Sequence, residues 1–162
     1  MSNFWKNKKI LVTGGRGFVG SHVVDFLVQN RGVKLSQIRI PKSKTHDLRN
    51  FENAKRVMKS VDIVLHLAAD VGGIGYSSSH PASQMRNNLL LDLHMFEAAA
   101  ASKVKKFVCV SSAVAYPVSA SSPLREEHLF EGNPADGGYG YGFAKRMAAV
   151  LTRAYRQERG LD

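Results

Sequence analysis

Tyr141 and Lys145 stand four residues apart in the run Tyr141-Gly142-Phe143-Ala144-Lys145. On a helix that spacing puts both side chains on one face. An ammonium group beside a phenol favours the phenolate, so such a tyrosine can give a proton to a carbonyl oxygen or take one from an alcohol. Upstream, the apolar run Phe107-Val108-Cys109-Val110 ends in Ser111-Ser112, whose hydroxyls can hydrogen-bond the same oxygen and orient it. Tyr139 is a rival to Tyr141, but the residue four positions beyond it is Phe143, so Tyr141 is preferred.

A second set lies near the start of the chain, in Ile10-Leu11-Val12-Thr13-Gly14-Gly15-Arg16-Gly17-Phe18-Val19-Gly20. A short apolar run that ends in glycines and leads into Ser21-His22-Val23-Val24 reads as a buried strand, a tight turn and a helix start. Such a turn holds diphosphate. Gly14 permits the reversal, Gly17 removes a side chain where backbone amides approach phosphate oxygens, and Gly20 lets the helix pack on the strand. The helix N-terminus, including Phe18 and Val19, then presents unpaired N–H groups to the anion. The spacing Gly14-x-x-Gly17-x-x-Gly20 is one residue longer than the G-x-G-x-x-G pattern of dinucleotide sites.

About twenty residues further on, an NAD-specific site places a carboxylate on the ribose 2′-hydroxyl. Here the sequence is Ile38-Arg39-Ile40-Pro41-Lys42-Ser43-Lys44. Arg16, Arg39, Lys42, Ser43 and Lys44 are candidates to meet a 2′-phosphate, which predicts NADP over NAD; the alternative is a basic surface turn.

The elements that would position these groups alternate along the chain. Strands are predicted at the run from Ile10, at Gln37 to Ile40 and Val61 to Leu67, and at Lys106 to Val110, with a brief extended piece at Thr45 to Leu48. Helices are predicted at Gly17 to Asn30, Phe51 to Lys59, Pro81 to Ala101 and Tyr141 to Arg159. This alternation argues for an α/β fold, a doubly wound parallel sheet with helices on both faces, whose ligands sit beyond the carboxyl ends of the strands. The long connections Ala69 to His80 and Ala113 to Gly138 both leave that edge.

With 162 residues, 44% of them hydrophobic, the chain reads as a single domain. No apolar run approaches the ~20 residues of a membrane span and no secretion signal opens it, which predicts a cytoplasmic protein. The formal charge of +10 is spread over Lys6 to Lys9, Lys42 to Lys44, Lys103 to Lys106 and Lys145 to Arg159. So dispersed a set fits solvated helix faces and an anionic small molecule, and no nucleic-acid partner is expected. Cys109 and His66 lie in strand-like runs and read as buried structural residues; no metal is expected.

Taken in order, Thr13 with the glycine turn, the strand ending in Ser111-Ser112, Tyr116 and the Tyr141–Lys145 pair resemble the extended short-chain dehydrogenase/reductases, the NAD-dependent epimerase/dehydratase family. Leu67-Ala68-Ala69-Asp70-Val71-Gly72-Gly73-Ile74-Gly75, Val114-Ala115-Tyr116-Pro117 and Leu124-Arg125-Glu126-Glu127 carry the likeness to its GDP-L-fucose synthase branch, which converts a GDP-4-keto-6-deoxy-hexose. The resemblance implies a Rossmann fold and NADPH-dependent epimerisation and reduction of a GDP-linked sugar. It makes Ser112, Tyr141 and Lys145 the catalytic set; counting back from Tyr116 selects Ser112 over Ser111. Lys145 would also hold the nicotinamide ribose. It further implies Asp47 and Leu48 at the adenine ring, Ala68 and Ala69 where the backbone passes the cofactor, Asn88 at the active-site wall, and a homodimer through the two long helices.

Two departures stand out. Val114 occupies the place of the branch's acid/base cysteine and cannot move a proton, so reduction is expected more than 3,5-epimerisation. Residues 1–162 would form the dinucleotide-binding domain of an enzyme about twice as long, with its last strands and substrate domain absent. Two other outcomes are another nucleotide-sugar 4-epimerase or dehydratase, and a non-catalytic cofactor-binding fragment.

Overall fold

A computed structural model of the protein describes residues 3–162, with Asn3 described by its backbone alone. Four short runs make the sheet: β1 (Ile10–Thr13), β2 (Ile38–Arg39), β3 (Ile63–His66) and β4 (Lys106–Cys109). They lie in the order β2-β1-β3-β4, all parallel. β1 and β3 are apolar almost throughout because central strands of such a sheet are covered on both faces. The register sets Thr13 beside His66 and His66 beside Cys109, so three polar side chains line up where the strands end.

The helices are α1 (Phe18–Arg31), α2 (Phe51–Met58), α3 (Ile74–Ser79), α4 (Pro81–Ala101) and α5 (Tyr139–Arg159). Alternation along β1 splits the core: Leu11 faces Met58, Met95 and Phe96 of α2 and α4, while Ile10 and Val12 face Val24 and Leu27 of α1. Burial of Phe96, 1% exposed, contributes about 1.5–3 kcal/mol of apolar transfer energy. On the α1 side, Val108 of β4 and the following Val110 remain exposed. At the free edge of β4, the Phe107 amide donates to the Asp162 carbonyl at 2.7 Å, and Leu161 is buried in the core. No helix among the described residues is long and apolar enough to cross a membrane.

The expected helices and strands are present, with three differences. Thr45 to Leu48 forms turns and no strand. There Asp47 Oδ1 accepts the Arg49 amide at 3.0 Å and Asn50 caps α2 by accepting the Asn53 amide at 3.2 Å, so side chains compete successfully for the backbone. The glycine-rich connection after β3 contains α3, and α5 begins at Tyr139, one half-turn before the expected Tyr141. The connection after β4 is built of short 3₁₀ turns, at Ala113–Ala115, Glu126–Phe130 and Asp136–Gly138.

Candidate active site

Between β1 and α1 the chain reverses through Gly14 at φ +68°, a conformation that favours glycine, and a Cβ there would lie 2.8 Å from the Ala68 nitrogen. A Cβ on Gly20 would overlap the Gly14 carbonyl oxygen, so helix and strand approach this closely only with glycine at that position. The Gly17 amide donates to Gly14 O at 2.9 Å and is spent on closing the turn, so Gly17 serves the turn's own geometry. The first helical bond is Ser21 N–H to Gly17 O at 2.9 Å. The amides of Phe18, Val19 and Gly20 therefore precede the intrahelical ladder, and no side chain among the described residues caps them. The side chains of Phe18 and Val19 turn the other way, into an apolar groove with Trp5, His22 and Phe26. Only their backbone can serve an anion.

Beside this turn lies a cleft of about 840 Å³. Gly14, Arg16 and Gly17 form one wall, Lys42, Ser43, Lys44, Asp47 and Leu48 a second, and Ala68, Ala69 and Asp70 a third. It thus gathers most of the expected cofactor residues. Arg39 is not among them. Its Nη1 donates to the carbonyls of Val57 at 2.6 Å and Lys59 at 2.9 Å, because the C-terminal end of α2 offers unpaired acceptors within reach. Arg39 is thus held against the end of α2 and does not line the cleft. Arg49, not singled out from sequence, lines the cleft and forks onto Asp47 with Nη2–Oδ2 at 2.7 Å; that hydrogen bond holds the Asp47 carboxyl below its ordinary range.

The loop after β3 is held by α4. Asn88, fully buried, accepts the Asp70 amide at 3.0 Å and donates to the Asp70 carbonyl at 2.9 Å. The Asp70 carboxylate accepts from Asn87 Nδ2 at 2.7 Å and from the Tyr76 hydroxyl at 3.0 Å. Asn88 therefore acts on the loop backbone.

Helix α5 carries Tyr141, half-buried, and one turn later Lys145, 3% exposed. Lys145 Nζ lies 3.6 Å from Asp92 Oδ2 on α4. Asp92 Oδ1 meets His66 Nε2 at 3.1 Å, and His66 Nδ1 meets Thr13 Oγ1 at 2.7 Å. Asp92 escaped the sequence reading, although a lone acid in Leu89-Leu90-Leu91-Asp92-Leu93 was a signal in plain view. Cys109, expected to be buried, is only half-buried; its thiol packs against this group, and the burial of that end pushes it up to about 12, so the thiol is neutral. Ser111 Oγ donates to the Lys145 carbonyl at 3.2 Å, tying β4's end to α5. Ser112 Oγ accepts the Val114 amide at 3.4 Å, a bond that leaves its proton free to donate. Neither Ser112, Tyr141 nor Lys145 lines the cleft beside the first turn.

Residues 10–162 match the NAD dependent epimerase/dehydratase family. The chain belongs to this family. It is 31% identical to GDP-mannose 3,5-epimerase 1 of Oryza sativa subsp. indica over 98% of its length and 46% of that protein. It is 32% identical to a probable GDP-L-fucose synthase of Drosophila melanogaster over 94% of its length and 48% of that protein. Among solved structures, a GDP-D-glycero-L-gluco-heptose synthase of Campylobacter jejuni, in the presence of NADPH, superposes with a TM-score of 0.89 at 28% identity, covering 99% of this chain and 46% of that one. A GDP-mannoheptose C4 reductase of the same organism, with NADP bound, gives 0.89 at 27% identity over 100% of this chain and 50% of that one. The chain spans about half the length of the curated relatives it matches. The family's Rossmann-type parallel sheet is the one seen here, and its dinucleotide fits the first turn: open amides at α1 and backbone packed where a Cβ at Gly14 or Gly20 would sit.

Proposed function

We infer that this chain is the cofactor-binding part of an NADP(H)-dependent enzyme acting on a GDP-linked 4-keto sugar. The observation that carries the inference is the cleft beside the first turn, where uncapped helix amides adjoin Arg16, Lys42, Ser43 and Lys44 with no carboxylate on that basic wall's Pro41-to-Lys44 stretch. The relatives' names supply the GDP sugar.

When bound, the nicotinamide cofactor supplies hydride chemistry. The amides of Phe18, Val19 and Gly20 would hold its diphosphate with the help of the α1 dipole. Arg16, Lys42 and Ser43 would take a 2′-phosphate, Asp47 and Leu48 would serve the adenine, and Ala68 and Ala69, with small side chains, would let the backbone pass close to the cofactor. Tyr141 exchanges a proton with the sugar's carbonyl or alcohol oxygen, Ser112 hydrogen-bonds that oxygen, and Lys145 holds the ribose and favours the phenolate. Exposed Leu93 on α4 and Met147 and Val150 on α5 support a homodimer through these helices.

Val114, 45% exposed in the loop after β4, has no proton to move. It supports reduction without 3,5-epimerisation, and equally a 4-epimerase or dehydratase that restores its own cofactor. Titrating the chain with NADPH and NADH by cofactor fluorescence tests the binding reading. NADPH is expected to bind at least about tenfold tighter; equal affinities, or none, defeat it. In a full-length version, release of one oxidised cofactor per turnover separates a reductase from the self-restoring reactions.

A further inference from the structure

The Asp92 carboxylate, 1% exposed, has two partners of different kinds. Oδ1 is hydrogen-bonded to His66, whereas Oδ2 has no hydrogen bond among the described residues and sits 3.6 Å from the Lys145 ammonium. A buried carboxylate with one oxygen unbonded is costly unless a charge answers it. The ammonium supplies that charge, and the separation leaves its N–H groups uncommitted to the carboxylate.

The direction of the remaining bonds follows from counting protons. Thr13 Oγ1 accepts the Ala68 amide at 3.1 Å and, at the same distance, the Leu67 amide, which also reaches the Thr13 carbonyl at 3.3 Å; both lone pairs of the hydroxyl are thereby engaged. Its own proton must go to His66 Nδ1 at 2.7 Å. The imidazole proton is then on Nε2 and is donated to Asp92 Oδ1. Every bond in the chain thus orients the next.

We propose that Asp92 is a positioning residue for Lys145, held in the orientation that serves it by Thr13 and His66. Thr13 directly precedes Gly14, and Leu67 and Ala68 border the dinucleotide cleft. Three side chains therefore link the two strand ends at the cleft to the ammonium on α5. The arrangement keeps Lys145 fixed in place while its donors stay available to another acceptor. His66, Asp92 and Cys109 also present donor atoms within 4.8 Å of one another, a spacing a metal would accept, but the Lys145 ammonium against Asp92 opposes a second cation.

The test begins with the unmodified chain. Heteronuclear NMR of the histidine rings is expected to show His66 unprotonated at Nδ1 and protonated at Nε2; a proton on Nδ1 overturns the proposal without any variant. Asp92→Asn keeps the shape and removes the charge. In folded Asp92→Asn, as judged by circular dichroism, the Lys145 ammonium resonance, assigned by its loss in Lys145→Met, is expected to shift or broaden, and Asp92→Glu to restore it. An unmoved resonance overturns the proposal. One further arm rests on Lys145 being a cofactor ligand: the Kd for NADPH is expected to rise on the order of tenfold in Asp92→Asn and to recover in Asp92→Glu. An unchanged Kd overturns the positioning role, whereas a wild-type chain that binds no NADPH defeats the cofactor reading alone and leaves the NMR result to decide the proposal.

Discussion

The guanidinium of Arg146 on α5 closes on the carbonyl of Ala115 with two nitrogens, Nε at 2.9 Å and Nη2 at 2.7 Å. Its Nη1 donates to the Gly132 carbonyl at 2.8 Å, and the group lies near the rings of Phe130 and Phe143. One buried side chain thereby pins both ends of the long loop after β4 onto the helix that carries Tyr141. Burial lowers its pKa, yet an arginine stays charged at any working pH.

Replacing that guanidinium leaves two loop carbonyls without their donors. Arg146→Met is expected to cost about 2–4 kcal/mol, read as a lower urea midpoint with an unchanged slope. Arg146→Lys recovers only part, because an ammonium lacks the planar fork. Limited proteolysis is expected to cut the variant first within residues 117–138. A variant with wild-type midpoint and cleavage pattern contradicts the clamp.

The first turn separates two glycines that look alike in sequence. A Cβ on Gly20 collides with the Gly14 carbonyl, whereas one on Gly17 meets the same oxygen at 3.3 Å and needs only a small adjustment. Gly20→Ala is expected to lose about 3 kcal/mol or more, at the severe end of overpacking, and Gly17→Ala about 1 kcal/mol or less. Thermal unfolding of the two variants, compared side by side, decides the matter; equal losses contradict the packing described.

Specificity for a 2′-phosphate is expected to follow Arg16 and Lys42 and to ignore Arg39. Arg16→Met and Lys42→Met are each expected to weaken NADPH several-fold and leave NADH unchanged, since each removes a cation from one phosphate. Arg39→Met is expected to keep the NADPH affinity while lowering stability by about 1–3 kcal/mol, the loss of two charge-assisted hydrogen bonds at the end of α2. Fluorescence titration of all three variants provides the comparison.

Some parts of this molecule are legible in its sequence and others are not. The strand, glycine turn and helix at the N-terminus were legible because a steric rule forces small residues to fixed places. That Tyr141 and Lys145 share a helix, one turn apart, was legible from their spacing. The bonds of Arg39 were not legible, because its acceptors are backbone carbonyls at the end of α2, which no side-chain pattern advertises. Arg146 looked like one more surface cation in a basic helix, yet it is 5% exposed, because the loop that buries it has no periodicity to predict its path. Helix α3 was hidden in a segment rich in glycine and serine, residues that argue locally against a helix.

Stability at high pH is set partly by two acids that the fold keeps protonated. Burial, reinforced by the charge of Asp92, pushes the Cys109 thiol up to about 12, and burial with the hydrogen bond to Glu97 pushes the Tyr155 phenol up to about 12. In the unfolded chain the thiol ionises near about 8.5 and the phenol near about 10. Above those values the unfolded state binds fewer protons than the folded one, so the unfolding free energy falls as pH rises toward 12. Cys109→Ala is expected to flatten the part of that decline that begins near pH 9 and to leave the later part belonging to Tyr155. Chemical denaturation from pH 7 to 11 measures the slope. The same burial predicts that iodoacetamide at pH 8 alkylates the folded chain at least about a hundredfold more slowly than the chain in urea, since only the thiolate reacts; comparable rates would mean that Cys109 ionises in the fold and that its place beside Asp92 is open to water.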